Sequence, residues 1–403
     1  MNILFLTLVR ITDIEERGIY TDLMRTFRDN GHEVFIVCPV ERRYKEETTY
    51  THHGNVHILN VKTLNVQKTN LLEKGIATLS VEYQFYKEIK RYIKHVAFDL
   101  VLYSTPPITF TKIVEKIKKR DQAKSYLLLK DIFPQNAVDI GLMKEDGLIY
   151  RFFRKKEQKL YSISDYIGCM SPANVDFLLK HNPSIPSDKV EVNPNSIRPV
   201  NNEFSEEERC QIRNKYSIPC DKTIFIYGGN LGKPQGLSFL LSVIASNINK
   251  DDRYFVIVGT GTEYPMIEAW FKKHAPANAM LLPGLPKKKY DGLVQACDVG
   301  LIFLDPRFTI PNYPSRLLSY LEYKMPVLMA TDKNTDIGRI AEENGYGLWS
   351  LNGDLSSFNA ALDKLCQDKQ LVQEMGERGY RFLWNNYTVD ASYNMVMKYL
   401  KRN

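Results

Sequence analysis

The sequence predicts an α/β protein of two domains, each built on a parallel sheet covered by helices. Its 403 residues exceed one ordinary core and fit two domains of about 200 residues. Short β-branched and aromatic runs alternate with longer amphipathic segments along the whole chain, as in parallel sheets with helices on both faces. This alternation restarts after the Pro- and Asn-rich residues 193–199, which indicates two sheets rather than one.

The predicted strands are short apolar runs. They cover residues 3–7, 34–38, 57–61, 100–103, 125–129 and 166–170 in the first half, and 223–227, 254–258, 279–282, 299–303 and 327–329 in the second. We expect domains at residues 1–198 and 199–385, followed by a C-terminal helix within residues 386–403. Ligands of such sheets bind beyond the carboxyl ends of the strands. The active site is therefore expected in a cleft where the two sheet edges face each other.

The composition is that of a globular protein, with 44% hydrophobic and 25% charged residues. The opening apolar run is cut short by Arg10 and has no basic start, so it predicts a buried strand rather than a signal peptide. No other apolar stretch is long enough to span a bilayer. We expect a cytoplasmic protein, or one that lies on a membrane from the cytoplasmic side.

Cysteine and histidine spacing argues against a disulfide framework and against a metal site. The six cysteines are scattered and include no Cys-x-x-Cys pair, so reduced thiols are expected. The seven histidines form no His-Glu-x-x-His or similar ligand spacing, so we expect no tightly bound metal.

The net charge of +7 lies mostly in the first half, where residues 1–200 hold 30 Lys and Arg against 24 Asp and Glu. Basic residues cluster in three predicted helical segments, at residues 87–94, 112–124 and 151–159. They form either solvated helix faces or a surface for anionic lipid head groups, where each contributes about 1 kcal/mol. Because no nucleic-acid-binding motif accompanies the charge, we expect no nucleic acid partner.

The strongest local motif is Tyr-Gly-Gly-Asn-Leu-Gly-Lys-Pro-Gln-Gly at residues 227–236, between a predicted strand and a predicted helix at 236–248. Glycines let backbone N–H groups approach a phosphate, and a helix N-terminus favours an anion. Lys233 adds a charge-assisted hydrogen bond worth about 1.5–3 kcal/mol. A tight strand-to-helix turn is the simpler alternative. The motif is neither a Walker loop nor Gly-x-Gly-x-x-Gly, which disfavours a nucleotide hydrolase and a simple dehydrogenase.

Two more glycine turns follow the next two predicted strands, at residues 258–263 and 282–286. Each turn alone is ordinary. Glycines at three consecutive strand ends predict a nucleotide that lies across the edge of the second sheet.

A last motif, at residues 312–327, reads Asn-Tyr-Pro-Ser-Arg-Leu-Leu-Ser-Tyr-Leu-Glu-Tyr-Lys-Met-Pro-Val. Pro314 fits the first turn of a helix and Pro326 ends it. Ser315 and Arg316 are then expected at a helix N-terminus, a position suited to an anion. The alternative is a surface arginine on a plain amphipathic helix.

Taken in order and spacing, these motifs resemble family 4 glycosyltransferases of the GT-B fold, which has two Rossmann-like domains. The resemblance extends to residues 16–23, which stand where the family has its first-strand loop. It also includes a C-terminal helix at residues 390–401, which in relatives crosses back onto the first domain. Residues 130–135, Lys-Asp-Ile-Phe-Pro-Gln, resemble the Arg/Lys-Asp-Leu-Trp-Pro-Glu segment of a subgroup often described as fucosamine transferases. Members of that subgroup build capsule and O-antigen repeat units on a lipid carrier.

The resemblance implies a retaining transferase whose donor is a UDP-sugar, or less favourably a GDP-sugar, and whose acceptor is a lipid-linked saccharide. In the mechanism usually proposed, a donor phosphate oxygen takes the acceptor proton, so no protein nucleophile, cofactor or metal is needed. Stabilising the departing diphosphate is then the main catalytic task, for which Lys233 and Arg316 are the candidates. The implied donor-binding residues also include Gly229, Asn230, Gly232, Gly259, Ser315 and the backbone near Leu285.

The chain departs from the family at a pair of glutamates eight positions apart. Aligned on residues 326–327, these glutamates fall at Pro311 and Ser319. We hypothesise that Glu322, three residues beyond Ser319 and on nearly the same helix face, supplies the missing ribose contact. A surface glutamate is the alternative.

The acceptor side offers fewer signals. Tyr103, Ser104, Lys130 and Asp131 lie at predicted strand ends of the first domain, and Arg17 and Gly18 lie in its first loop. Many relatives have a histidine at the position of Lys130. Asp131 either orients the acceptor hydroxyl, as a catalytic residue, or caps the following turn.

Two other functions share this architecture. Non-hydrolysing sugar-nucleotide 2-epimerases depend on carboxylates and histidines in the cleft, and no histidine stands in the strand-end motifs of this chain. A non-catalytic sugar-nucleotide-binding partner is suggested by the missing glutamates, but it would not need both Lys233 and Arg316.

Overall fold

The computed structural model describes residues 1–65, 71–201 and 203–400, apart from the side chains of residues 71, 72 and 74. The chain divides into two compact units. Unit 1 contains residues 1–198 and the C-terminal segment from Thr388, and unit 2 contains Pro199–Tyr387. The C-terminal segment thus begins at residue 388, compared with residue 386 in the sequence-based division.

Unit 1 holds an eight-stranded sheet in the order β3-β4-β2-β1-β5-β6-β7-β8. Every neighbouring pair is parallel except β3 with β4. The strands are β1 Asn2–Leu6, β2 Glu33–Glu41, β3 Thr49–His53, β4 Val56–Thr63, β5 Leu100–Ser104, β6 Lys124–Leu129, β7 Tyr166–Cys169 and β8 Val190–Val192. The order reverses between β1 and β5, and the loops that follow these two strands flank this switch point.

The helices of unit 1 connect the strands and cover the sheet. They are α1 Ile19–Asp29, α2 Leu71–Tyr92, α3 Thr111–Asp121, α4 Gln135–Asp139, α5 Leu148–Ile163 and α6 Pro172–His181, with α15 Val389–Met397 from the C-terminal segment. Helix α15 packs on α1, where the rings of Phe27 and Tyr393 lie 5.0 Å apart. Its Ser392 donates a 2.7 Å hydrogen bond to buried Asn193. The C-terminal helix therefore completes the core of unit 1, as its buried Val389 and Val396 confirm.

Unit 2 holds a six-stranded, wholly parallel sheet in the order β11-β10-β9-β12-β13-β14. Its strands are β9 Thr223–Asn230, β10 Arg253–Thr260, β11 Ala279–Pro283, β12 Val299–Phe303, β13 Val327–Thr331 and β14 Gly347–Leu351. Its helices are α7 Glu206–Lys215, α8 Ser238–Ser246, α9 Tyr264–His274, α10 Lys287–Gln295, α11 Arg316–Glu322, α12 Ile337–Glu343, α13 Leu355–Gln367 and α14 Lys369–Asn386. Here the switch point lies between β9 and β12. The prediction of two parallel α/β sheets is confirmed.

The cysteines correct one expectation. Cys210, in the middle of α7, and Cys220, in the loop before β9, form a disulfide. Cys38, Cys169, Cys297 and Cys366 are free thiols, as expected. The pair was missed because a spacing with nine intervening residues forms no recognisable cysteine motif, and only the turn after α7 brings the two together. Among the described residues, no helix is both long and apolar enough to cross a membrane.

Candidate donor and acceptor sites

The glycine motif of unit 2 ends β9 and passes into the loop beside the switch point. Gly228 and Gly229 pair in register with Val258 and Gly259 of β10, so the ends of these strands lie side by side. The predicted long helix from residue 236 is in fact shorter. A 3₁₀ turn covers Lys233–Gln235, Gly236 adopts a left-handed φ of +57°, and α8 begins at Ser238.

Backbone packing explains two of the glycines without a ligand. A Cβ on Gly259 would lie 1.9 Å from the carbonyl oxygen of Gly229, and one on Gly261 would lie 2.2 Å from that of Leu231. Both distances are far below contact, so the adjoining strand-end loops require glycine at these positions. The predicted role of Gly259 in donor binding is therefore not needed to account for it.

Gly229 differs from these two glycines, because the space where its side chain would stand is open. It has a φ of +116°, and a Cβ there would meet only the guanidinium of Arg316, at 3.8 Å. Gly229 and Asn230 are exposed, whereas Gly232 is buried beside the Asn230 side chain. Gly229 thus presents bare backbone next to a cation.

Arg316, the first residue of α11, is held by neutral groups. Its Nη2 donates a 3.0 Å hydrogen bond to Oε1 of Gln235, and its Cζ lies 4.3 Å from the centre of the Tyr227 ring. Its Nη1 is buried and has no hydrogen-bond partner in the described part of the chain. Burial opposes the charge, but the hydroxyls of Tyr227 and Tyr320 outweigh it and raise the pKa of the guanidinium.

Two polar residues of this arrangement were not singled out from the sequence. The Tyr227 hydroxyl donates to the carbonyl oxygen of Asn230 at 2.9 Å and also lies 3.2 Å from Oε1 of Gln235. Tyr227 and Gln235 both stand inside the glycine motif, so their positions were visible but their shared contact with Arg316 was not. Lys233 lies in the same loop, is exposed, and pairs with no carboxylate of the described residues.

The loop after β12 packs against the glycine loop. Asp305 donates its backbone N–H to the carbonyl oxygen of Pro234 at 3.0 Å. Its buried carboxylate accepts hydrogen bonds from Arg307 at 2.8 and 2.9 Å. Because Asp305 is already paired with Arg307, it does not neutralise the cation of Arg316.

The remaining predicted donor residues lie outside the glycine loop. Leu285 is half-buried between β11 and α10, and Ser315 is exposed immediately before α11. Ser319 is half-buried in the middle of α11. That helix has only seven residues and begins at Arg316, so its dipole is a minor contribution to anion binding.

Glu322 corrects the ribose hypothesis. It is the last residue of α11, is only 6% exposed, and its Oε1 accepts a 2.9 Å hydrogen bond from the backbone N–H of Val200. Because α11 starts beside the strand ends and runs back along the sheet, its last residue lies a helix length away from Arg316. The contact with Val200, not a ribose, explains a glutamate here.

In unit 1 the ends of β5 and β6 are tied together by Thr105. Its Oγ1 accepts hydrogen bonds from the backbone N–H groups of Lys130 and Asp131, at 2.9 and 3.1 Å. Tyr103 and Ser104 precede it but point into the core, which corrects their assignment to an acceptor site. Tyr103 is fully buried with its hydroxyl 2.7 Å from the Ser164 hydroxyl, and Ser104 is 1% exposed.

The side chains of Lys130 and Asp131 both form hydrogen bonds within unit 1. The Lys130 ammonium donates to the carbonyl oxygen of Asn193 at 3.0 Å, and burial lowers the pKa of this lysine to about 7. Both carboxylate oxygens of Asp131 accept from Nδ2 of Asn136, at 2.8 and 2.9 Å. Lys130 therefore braces β6 against the end of β8, and Asp131 is held at the first turn of α4.

Arg17 and Gly18 lie in the loop between β1 and α1. Arg17 donates to the carbonyl oxygen of Arg198 at 3.2 Å, and the Gly18 N–H donates to Oδ1 of Asp22 at 3.1 Å. Asp22 also forms a buried ion pair with Arg25. The buried ion pair between Asp22 and Arg25 therefore helps to hold this loop in place.

Comparisons with known proteins show what the chain is similar to. Residues 208–382 match the family "Glycosyl transferases group 1". The chain is 25% identical to the "Probable glycosyltransferase WbjE" of Pseudomonas aeruginosa over 306 residues, 74% of either chain. Among solved structures it is similar to sucrose-phosphate synthase from Thermosynechococcus elongatus, with a TM-score of 0.76, 12% identity, and 100% and 99% of the two chains covered. It is also similar to Anabaena Alr3699/HepE in complex with UDP, with a TM-score of 0.70, 12% identity and full coverage of both chains.

A third similar structure is WaaG, a glycosyltransferase involved in lipopolysaccharide biosynthesis, with a TM-score of 0.66 and 13% identity over 98% and 99% of the two chains. These structural similarities over nearly the whole chain establish the fold, which is GT-B. The match over residues 208–382 and the relative WbjE support a glycosyltransferase of group 1.

Proposed function

We propose that this chain is a retaining glycosyltransferase that moves a hexosyl or N-acetylhexosaminyl group from a nucleoside-diphosphate donor to a lipid-linked saccharide. The product would serve capsule or O-antigen synthesis, as in the fucosamine-transferase-like subgroup. A UDP-sugar is the favoured donor, in keeping with UDP in the similar HepE structure, and a GDP-sugar is the second choice.

One observation carries the proposal: Arg316 is a cation without a carboxylate partner among the described residues, and it stands in front of the open backbone of Gly229. A half-buried guanidinium group that keeps its charge is a strong ligand for a diphosphate. Its position at the sheet's switch point, inside the group 1 domain, is where α/β folds bind nucleotides. Lys233, exposed in the same loop, supplies a second positive charge.

The proposed reaction gives both of these charges a role. The bond from the sugar C1 to the donor phosphate oxygen breaks, and a bond from C1 to the acceptor oxygen forms on the same face. The acceptor proton passes to a phosphate oxygen of the leaving diphosphate. Arg316 and Lys233 stabilise the negative charge that develops on that diphosphate, each through a charge-assisted hydrogen bond worth about 1.5–3 kcal/mol, or about 10- to 100-fold in rate.

The proposal assigns no role to a metal or another cofactor. Among the described residues, no group of three or more His, Cys, Asp or Glu side chains is arranged to hold a metal ion. Asp131 stays our candidate for orienting the acceptor hydroxyl, with Asn136 fixing its carboxylate. The basic helices of unit 1 are proposed to face the cytoplasmic membrane surface that carries the acceptor.

The decisive experiment offers the purified protein a panel of UDP- and GDP-sugars, with and without a lipid-diphosphate saccharide, and follows nucleotide release and product mass. We expect acceptor-dependent release of one nucleotide and a product one sugar heavier, with the anomeric configuration of the donor kept in its NMR spectrum. An isomerised nucleotide sugar formed without acceptor would instead identify an epimerase. Tight nucleotide-sugar binding with no turnover on any acceptor would identify a non-catalytic partner.

A further inference from the structure

Exposed apolar side chains of unit 1 cluster at the beginning of α5 and in the second to fourth turns of α2, which begins at Leu71. Helix α5 begins with Leu148, 87% exposed, and Ile149, 64% exposed, and Phe152 follows one turn later. The described part of α2 exposes Ile76, Leu79 and Tyr83 in the same way, with Tyr83 at 71%. We call these six residues the apolar rim.

The two halves of the apolar rim lie at the same edge of unit 1. Helices α2, α3 and α5 each lead back to a parallel strand further along the sheet, so right-handed crossovers place all three on one face. Each therefore starts at the carboxyl edge of the sheet, the edge that carries Asp131. Helix α3 bridges the other two: Thr109 at its start donates to the carbonyl oxygen of Thr78 at 2.9 Å, and its Glu115 pairs with Lys159 of α5.

Basic residues continue the same exposed stripes away from this edge. In α2 the stripe runs from Ile76, Leu79 and Tyr83 to Lys87 and Lys90, at the i, i+3, i+7 spacing of one helix face. In α5 it runs from Leu148 and Phe152 to Lys155 and Lys159, and α3 between them exposes Lys112 and Lys116. Two exposed carboxylates, Glu145 and Asp146, precede α5. They are fewer than the exposed lysines, so the face remains strongly basic overall.

We propose that the apolar rim inserts into the head-group and acyl boundary of an anionic bilayer while the lysines behind it contact the lipid head groups. Apolar side chains grouped at one end of a lysine-rich face match the chemistry of that boundary, since buried apolar area and attraction to anionic lipid add together. A partner protein would match either the charge of this face or its apolar side chains. It would seldom match both over a surface made of three parallel helices. The inference rests on the proposed function. If the apolar rim inserts into the bilayer, the sheet edge with Asp131 lies close to the membrane, where the lipid-linked acceptor is held.

The proposal separates two contributions that salt distinguishes. Attraction between lysines and anionic lipid is screened by salt, and each charge near the surface is worth about fivefold in affinity. Insertion of apolar side chains is not screened. Binding to anionic vesicles is therefore expected to fall as salt rises but to keep a residual part that depends on the apolar rim.

The test is co-sedimentation of the full chain with vesicles of phosphatidylcholine alone or mixed with phosphatidylglycerol, at low and high salt. The double substitution Leu148→Ser with Ile149→Ser is expected to weaken binding at least tenfold at both salt concentrations. Lys112→Glu with Lys155→Glu is expected to weaken it only at low salt. Ile248→Ser, which removes an exposed apolar residue from unit 2, is the matched control and is expected to bind as the wild type does.

Two results would overturn the proposal. One is wild-type binding that the serine variant retains in full. The other is a wild-type dimer, seen by light scattering, that the serine variant converts to a monomer, since the apolar rim would then be a protein interface. Turnover of a soluble acceptor analogue separates this test from that of the proposed function: a working transferase that ignores vesicles contradicts only the apolar rim, whereas absence of turnover on every donor contradicts the transferase.

Discussion

Arg316 and Gln235 are joined by a hydrogen bond of 3.0 Å that crosses from the start of α11 to the glycine loop after β9. The amide oxygen fixes the direction of the guanidinium without neutralising it. A glutamate of the same shape would form an ion pair instead and remove the charge that we assign to diphosphate binding. Gln235 is thus a positioning residue whose neutrality matters.

Gln235→Glu is expected to weaken UDP binding about tenfold or more, because the new carboxylate competes with the diphosphate for Arg316. Gln235→Leu removes the hydrogen bond to Arg316 without adding a negative charge, so it is expected to weaken UDP binding less than Gln235→Glu does. Titration calorimetry with the favoured nucleotide measures both. Gln373→Glu adds the same charge on the exposed face of α14 and serves as the control. Equal UDP affinity in Gln235→Glu and the wild type would contradict the assignment.

Lys233→Met is expected to lower kcat/KM for the donor sugar by about 10- to 100-fold, because one charge-assisted hydrogen bond to the leaving diphosphate is lost. Steady-state kinetics with saturating acceptor measures this effect. Lys273→Met removes an exposed lysine from α9 in the same unit and is expected to change nothing. Were both variants equally active, Lys233 would be a solvated residue of the loop.

The buried ammonium of Lys130 predicts a pH dependence of stability. Burial lowers its pKa from an ordinary value of about 10.4 to about 7. Between these two values the unfolded chain binds a proton that the folded chain does not, so the contribution of Lys130 becomes more favourable as pH rises from about 7 to about 10.

Thermal unfolding of the wild type and Lys130→Met at several pH values between 6 and 10 checks this linkage. The wild type is expected to gain stability relative to the variant across that window, by about 1–3 kcal/mol in total. In the variant the carbonyl oxygen of Asn193 loses its partner, which also changes the free energy of unfolding at every pH. The slope of the stability difference with pH is therefore the diagnostic quantity. A pH-independent difference would show that Lys130 stays protonated in the folded chain.

Arg25→Met is expected to lower the free energy of unfolding by about 3–5 kcal/mol, since it leaves the buried carboxylate of Asp22 without its counter-charge. The loop that carries Arg17 and Gly18 should loosen as well. Arg339→Met breaks the exposed pair with Glu343 and is expected to cost less than about 1 kcal/mol. Chemical denaturation followed by circular dichroism compares the two.

The disulfide between Cys210 and Cys220 predicts that alkylation under denaturing conditions modifies two more cysteines after reduction than before. Its removal by Cys210→Ser with Cys220→Ser is expected to destabilise unit 2 by about 2–3 kcal/mol, because a short loop is no longer closed in the unfolded chain. Mass spectrometry counts the alkylated thiols. Six reactive thiols without reductant would show that the pair does not form.

The sequence predicted the buried strands well and the edge strands poorly. All eleven predicted strands are present, but β3, β8 and β14 were missed. Strand β3 is polar and mostly exposed, β8 has three residues, and β14 begins with glycine at the edge of its sheet. Edge strands bury only part of their surface, so they lack the continuous apolar run that marks an inner strand.

For the sites, the sequence located motifs but not side-chain directions. It brought Lys233 and Arg316 to the ends of the second sheet. Yet it placed Tyr103 at the surface, although β5 is an inner strand whose residues are buried on both faces of the sheet. The helix spacing that linked Glu322 to Ser319 was sound, but spacing alone does not tell which end of α11 meets the strand ends. Such directions depend on packing between elements distant in the chain.

The C-terminal helix α15 also determines when unit 1 is able to finish folding. Residues 1–198 leave the ribosome long before Val389 and Tyr393 are made, and at about 5–20 residues per second that interval lasts about 10–40 s. Throughout it, the apolar side of α1 around Phe27 has no cover. Unit 2 is contiguous and needs no later segment, so the second half of the chain is able to reach its native state before the first half does. A chain stopped before residue 388 would leave this apolar surface of unit 1 permanently exposed.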